Sequence, residues 1–442
     1  MQSDEDYFWK KLSTSLLLIC IISFSCKETP VGPRTPLSTS LTVEHAGVTG
    51  AWLRLQASPI SAEQSVEIRR NGLTIFKSPI TSSDTLILDQ GLFPAHAYTY
   101  QAVRRTDSMI IYMTPPVQTT TMDTTSHNIM WEVDTLSIAS ASRLFDVAIL
   151  SDTQLYAVGE YYVDDLNGQY DPYPYNLAIW NGKSWTRKRV EYEYSPGMYS
   201  YSLLVWLYAF NPNDIWFSNS VGWNGQSFYN IDVGIPVFYG IQAWKMWGSP
   251  NGQTCIVGNG GTIACSWDHG ITWRKIESGT TVPLNDVWGG SNPYVGPQVM
   301  LIAASNKYSP GDERLLRINQ AGILDSIPWP MSLRPVASVW FDDYSKIFVC
   351  GGGVHEYLGK GAWKEFTELP LILTNRIRGN AENDIFVVGD FGLVAHYNGM
   401  SWHVYPEVAL ADGNYESLAV RGNTVMAVGL TGSQAIATLG RR

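Results

Sequence analysis

The sequence predicts an all-β protein, with a small sandwich followed by a seven-bladed β-propeller closed by an N-terminal outer strand. Three observations predict it. The 442 residues include 17 Trp and 24 Tyr, yet no long stretch keeps a helical period. From about Leu41 the chain reads as short apolar strands separated by turn residues. Beyond "MDTTSHN" a three-part pattern recurs roughly every 40 to 50 residues, the period of four-stranded blades rather than of helical repeats.

Composition narrows the function classes. The chain is 45% hydrophobic and 16% charged, enough apolar residues for a large core. Its net charge of −10 is spread out, without a basic run or an aromatic-plus-basic stripe, so nucleic acid is not an expected partner.

The N-terminus reads as a targeting segment. Lys10 and Lys11 precede the apolar run "LSTSLLLICIISFS", which stops at Cys26 and is shorter than a spanning helix. Small Ser25 before Cys26 resembles the processing box of bacterial lipoproteins. That resemblance implies a signal segment at 1–26, lipidation of Cys26 and a lipid anchor in the cell envelope, at the outer membrane or cell surface. Residues 27–40, "KETPVGPRTPLSTS", form a Pro-, Ser- and Thr-rich tether, a composition that favours extended, unpacked chain.

Residues 41–122 contain the strands of the sandwich, with Asn71-Gly72 as a hairpin turn. The spacing Leu92-x-Pro94-x-x-x-Tyr98 resembles the fibronectin type III signature. It implies that the Tyr98 hydroxyl bonds back to upstream backbone, and that Trp52 is the core tryptophan.

The propeller is expected at 127–442. Its repeat begins with an apolar strand, near Val147, Tyr208, Met246, Val287, Val339, Ile377 and Leu418. A second strand ends in small residues, as in "LYAVGE", "TCIVGN" and "IFVCGG". A turn then leads into an aromatic: Trp185, Phe228, Trp273, Trp363 and Trp402, with Ile323 in the gap. The seventh repeat stops after three strands. Residues 127–136, with Trp131 as the closing aromatic, are expected to supply the fourth beside about 434–439, which seals an otherwise open edge.

"SWDHGITW", residues 266–273, has the Ser-x-Asp-x-Gly-x-x-Trp spacing. It resembles the Asp-box of sialidases and of many non-catalytic propellers. It stands between the third and fourth strands of a blade. The resemblance implies that Ser266, Asp268 and Gly270 brace that hairpin and that Trp273 packs between blades, so these four residues are structural. A sialidase also needs an arginine cluster and a Tyr nucleophile. Arg376 and Arg378 flank Ile377, alternate positions that face one side, and are read as ion-paired lining of the axial channel. No Asp-x-Asp motif occurs outside the leader, and no Gly-rich phosphate loop opens a helix. No catalytic residue and no cofactor is therefore expected, and a carbohydrate-active enzyme is the alternative reading.

The stretch "VGNGGTIACSWDHGITWRKIESGTT" resembles the photosystem II assembly factor-like propellers. The whole resembles bacterial surface lipoproteins that join such a propeller to a fibronectin-like domain. Binding or scaffolding in the envelope is what this implies, by a monomer whose partner is an envelope protein or a glycan. The basic patch of the photosynthetic members is not visible, so their role does not carry over.

Two insertions, residues 160–176 and 191–202, mark the candidate binding face. Blade connectivity brings both to one end. They gather Tyr161, Tyr162, Tyr170, Tyr173, Tyr175, Tyr192, Tyr194, Tyr199 and Tyr201, a residue type that gives contact area and a hydroxyl at small entropic cost. The alternative is that the insertions pack on each other and close the face. Asp164, Asp165, Asn167 and Asp171 lack the terminal Glu of a calcium loop, so no metal is expected. His396 and His403 flank one hairpin and read as packing residues. Cys255 and Cys265 stand symmetrically about Gly260, which puts their Cα atoms about 4.5–5.5 Å apart across a hairpin, within disulfide range. Cys350 is expected to be a buried free thiol.

Overall fold

The computed structural model describes residues 36–107, 109–138, 141–164, 167–201, 203–231, 243–309, 311–329, 334–344 and 346–442. The leader with Cys26, the tether up to residue 35, and Asp165 lie outside the described residues. Strands and two short 3-10 turns make up the regular structure described, with no α-helix among the described residues.

Contacts divide the chain into two compact units. One is Met1–Leu41, Leu55–Thr85 and Gln101–Pro115; the other is Thr42–Arg54, Leu86–Tyr100 and Pro116–Arg442. In the first, strands Ser61–Arg70 and Leu73–Ile80 form a hairpin that turns at Asn71 and Gly72, with φ of 49° and 84°. Positive φ at both central residues is what a type I′ turn requires. Arg104 is fully buried there. Its guanidinium donates to Gln64 Oε1 (2.7 Å) and to the carbonyls of Ser58 (3.2 Å), Ser38 (3.3 Å) and Pro59.

In the second unit the Phe93 N–H donates to the Tyr98 hydroxyl at 2.9 Å, so the tyrosine closes a corner on backbone five residues upstream. Trp52 is not a core residue. It is half-buried, lies edge-on to Tyr294, and donates Nε1–H to the Tyr344 carbonyl at 3.3 Å. An indole with its N–H satisfied this way sits at a surface contact, because the polar end needs a partner that an apolar core does not offer.

From Met130 onward the described residues include seven four-stranded antiparallel sheets. Their first strands are Arg143–Ser151, Leu207–Asn211, Ala243–Gly248, Leu284–Asn292, Val336–Trp340, Thr374–Ala381 and Gly413–Arg421. Each packs on the next, and the last returns to the first, so the strands line a closed ring. Six sheets are built from consecutive strands. In the seventh, Met130–Thr135 pairs antiparallel with Gln434–Arg441, from Arg441 opposite Met130 to Ile436 opposite Thr135.

Burial explains the sequence pattern. The second strands Thr254–Gly258, Ile347–Gly351 and Asp384–Gly389 are buried at every position. A strand covered on both faces reads as a continuous apolar run rather than an alternation. Outer strands such as Trp185–Lys188 bury little beyond their leading aromatic. Cores lie between successive sheets: Trp247, Val257 and Ile263 of the third meet Val287, Met300 and Ile302 of the fourth.

Candidate functional site

The two insertions leave the first sheet at the same end. One joins strand Gln154–Tyr161 to Tyr175–Trp180; the other leads out of the fourth strand, Trp185–Lys188, and folds its own hairpin, Tyr192–Ser195 with Met198–Ser200. They brace each other. Asn176 donates to the carbonyls of Val190 (2.9 Å) and Tyr201 (2.8 Å), and the Leu203 N–H donates to Glu160 Oε2 at 3.0 Å. Arg189 is the central clamp. Its guanidinium lies 4.0 Å from the Tyr175 ring centre and 5.8 Å from that of Tyr201, pairs with Asp171, and donates to the Tyr173 carbonyl at 2.9 Å. Asp171 also accepts the Tyr173 N–H at 3.0 Å. That bond first, and Arg189 second, hold its carboxyl below the usual range.

The nine tyrosines therefore divide by role. Tyr161 is wholly buried, donates to the Leu177 carbonyl at 2.9 Å, and has its hydroxyl pKa pushed up by burial. Tyr162, Tyr175, Tyr192 and Tyr201 are half-buried. Tyr170, Tyr173 and Tyr199 are exposed, at 58%, 58% and 57%. Tyr170 stacks on Tyr162 at 6.3 Å, and Tyr173 meets Tyr201 edge-on at 5.9 Å. Tyr194 lies in the second loop's hairpin. The loops are thus packed underneath and aromatic on top. Asp171, one of the carboxylates of the calcium-like stretch, is spent on Arg189. Among the described residues no group of three or more His, Cys, Asp or Glu is placed to hold a metal ion.

A second polar feature lies on the ring axis. In six of the seven first strands a register shift of the bulge kind interrupts the pairing near the start of the strand, and the residue that follows it is polar: Asp146, Lys245, Asp286, Ser338, Arg376 and Ser417. A bulge re-aims the side chain beside it, and here the re-aimed groups meet across the ring. Lys245 Nζ donates to both Asp146 oxygens (2.6 and 2.5 Å), and Ser417 Oγ donates to Asp146 at 2.7 Å. Arg376 Nη1 lies 2.5 Å from Asp286 Oδ1. Arg378 reaches both Asp286 oxygens, at 2.9 and 2.7 Å. Burial pushes Lys245 down to about 8 although Asp146 opposes it. Burial alone would raise Asp286, but Arg376 and Arg378 hold it far below the usual carboxylate range. Both arginines are thus paired lining, and the belt they share went unread in the sequence. Each of the six residues beside a bulge stands one residue before an apolar anchor, which was the signal available.

The 266–273 hairpin is self-contained. Ser266 Oγ donates to Asp268 Oδ1 (2.7 Å) and accepts the Gly270 N–H (2.9 Å). Asp268 accepts the Thr272 N–H (2.8 Å) and hydroxyl (2.6 Å). The Thr272 hydroxyl first, then its N–H and Ser266, bring the Asp268 pKa down to about 2. Trp273 donates to the Gly270 carbonyl at 3.0 Å and tilts against Trp216 of the second sheet. Gly270 has φ of 81°, and a Cβ there would lie 2.3 Å from Trp216. Within its sheet this turn stands at the end opposite the second-to-third connection. Cys255 and Cys265 are opposite one another, with Cα atoms 4.1 Å apart and the sulfurs joined, and Cys350 is buried and free.

No family model matches the chain, and no curated protein matches its sequence. Solved structures do. A structure of YCF48 bound to D1 peptide is 13% identical, covers 72% of this chain and 99% of its own, with a TM-score of 0.51. YCF48 from Cyanidioschyzon merolae is 11% identical, over 69% of this chain and 98% of its own, at 0.48. The WD40 β-propeller domain of Doa1 is 13% identical, over 71% and 98%, at 0.49. At such identity the first of these likenesses speaks for architecture alone, and together with the closed ring of four-stranded sheets it makes the fold a β-propeller.

Proposed function

We propose that the chain is a protein-binding scaffold of the bacterial cell envelope, whose partner is held on the tyrosine-rich end of the first sheet. The observation that carries this reading is the exposure of Tyr170, Tyr173 and Tyr199 on two loops that Arg189 and Asn176 brace from beneath. Residues 160–176 and 191–202 carry Glu160, Asp164, Asp165, Asp171, Glu191 and Glu193 but no Lys or Arg. An aromatic surface within a negative field favours a partner segment bearing Lys or Arg, through cation–π contact and charge complementarity. The peptide held by the YCF48 propeller supports protein rather than glycan as the partner class. The chain is read as a monomer without catalysis, made of a fibronectin type III-like domain on a lipidated Cys26 tether and a seven-bladed propeller. Its outermost strand comes from residues 127–136, and its Asp-box serves as a brace.

The test is retention of the protein on arrays of 12-residue peptides that differ only in charge. Arginine- and lysine-bearing peptides should retain it in a salt-sensitive way. The triple variant Tyr170→Ala, Tyr173→Ala, Tyr199→Ala should lose at least tenfold in retention at an unchanged melting temperature. Equal retention of the triple variant would remove the loops from the site. Turnover of fluorogenic glycosides by the native chain would favour the carbohydrate-active alternative. Labelled palmitate incorporation, lost in Cys26→Ser, tests the anchor.

A further inference from the structure

Three histidines from separate segments converge where the N-terminal strand joins the ring. His127 lies three residues before strand Met130–Thr135. His396 and His403 face each other in register on the third and fourth strands of the sixth sheet. His127 Nδ1 is 2.9 Å from His396 Nδ1, and the His127 and His403 ring centres are 5.2 Å apart. His396 Nε2 lies 3.1 Å from Asp384 Oδ1, and the Arg442 guanidinium pairs with the same carboxylate, its Nη2 3.3 Å from His396 Nε2. Thr125 Oγ1 stands 3.3 Å from His396 Nε2 and donates to the Asn383 carbonyl, while the Tyr405 hydroxyl donates to the His127 carbonyl at 2.9 Å. Phe386 stacks on the His396 ring at 4.4 Å.

A contact between two ring nitrogens needs one N–H and one lone pair. The pair is therefore satisfied when both imidazoles are neutral or when one is charged. With both charged, two N–H groups oppose each other. His127 Nε2 is buried with no hydrogen-bond partner, so a second proton on that ring has nowhere to donate. One carboxylate, Asp384, must then serve Arg442 and up to three imidazolium ions.

We propose that this cluster is an acid-operated latch on strand Met130–Thr135: protonation of His127 frees the strand and uncovers the edge of Gln434–Arg441. A strand so uncovered presents a row of unpaired backbone donors and acceptors to a further chain.

The direction follows from proton linkage. Burial first, then the charges of His396, His403 and Arg442, bring His127 down to about 4 from an ordinary 6.5. Burial also lowers His396, against the pull of Asp384. Asp384, which burial would raise, is held down by His396, Arg442 and Asn380. The closed form binds fewer protons than the open one between those two values. Closure is complete above about pH 6.5, weakens as pH falls toward 4, and loses nothing more below that. From His127 alone, the open-to-closed ratio rises about twentyfold between pH 7 and pH 5.

Hydrogen–deuterium exchange on the whole chain tests it, with rates corrected for the intrinsic effect of pH. Amides of Met130–Thr135 should exchange at least tenfold faster at pH 5 than at pH 7, while those of 300–304 in the fourth sheet hold steady. His127→Gln should cut that acceleration to threefold or less. Should that variant fail to fold, His403→Gln, at an exposed position, should lessen the acceleration by relieving one repulsion on His127. No acceleration in the native chain, equal acceleration at 300–304, or an unchanged slope in the variant tested would each overturn the latch.

Discussion

Asp286 shows what single residues do on the axis. It is wholly buried and answers two arginines, so its charge is tolerable only because theirs are present. Asp286→Asn should leave both guanidiniums underpaired and cost about 3–5 kcal/mol in denaturant unfolding, the usual penalty for removing one partner of a buried ion pair. Arg376→Met in that background should recover part of the loss. Gly270 is constrained differently: its φ of 81° and the 2.3 Å approach of a Cβ to Trp216 both oppose a side chain. Gly270→Ala should destabilise by about 1–3 kcal/mol without altering peptide retention, because the hairpin lies away from the tyrosine loops. Asp268→Asn should likewise leave retention unchanged. The axial belt was hard to read from the sequence because its seven positions hold Asp146, Leu207, Lys245, Asp286, Ser338, Arg376 and Ser417. No single residue type occupies the position all round the ring; what recurs in six of the seven sheets is polarity beside a bulge, and each charge is chosen to suit a partner two sheets away.

Elements were far easier to read than loops. Second strands buried on both faces leave an unbroken apolar signature ending in small residues, and the turn before the fourth strand keeps a Gly followed by an aromatic in five of the sheets. Strand positions around Val147, Tyr208, Met246, Val287, Val339, Ile377 and Leu418 all fall in first strands for that reason. The tyrosine insertions have no such periodicity. Their positions were visible, but not that Tyr161 belongs to the core or that Arg189, outside both insertions, clamps them together. Removing Arg189 should therefore loosen both loops at once: Arg189→Ala is expected to weaken peptide retention severalfold while the melting temperature moves by only a few degrees. The Cys255–Cys265 link closes a short loop, with a sequence separation of 10. By loop-closure entropy the bridge contributes about 2–3 kcal/mol, so Cys255→Ser with Cys265→Ser should lower the urea midpoint, with the slope of the transition retained.

At the scale of the whole ring, sheets depend on neighbours. Lys245 reaches past the second sheet to Asp146, and Arg378 past the fifth to Asp286, so the axis ties together sheets that share no strand pairing. The architecture was legible because a repeat of roughly 40–50 residues admits few folds, whereas the partner's identity depends on side chains that no repeat constrains. Acid should act on the ring as well: with His127 held down near 4, overall stability should decline below about pH 6.5 in calorimetry, and His127→Gln should flatten that decline. One feature bears on the protein's manufacture. The strand at Met130–Thr135 leaves the ribosome long before its mate at Gln434–Arg441 is made. Six sheets can assemble in order while this strand waits without a partner, and non-local pairings of this kind are slow to form. A chain interrupted before Gln434 would hold only the two inner strands of its seventh sheet and leave Met130–Thr135 unpaired, so closure doubles as an inspection step: the circle is completed only once Gln434–Arg441 has been made.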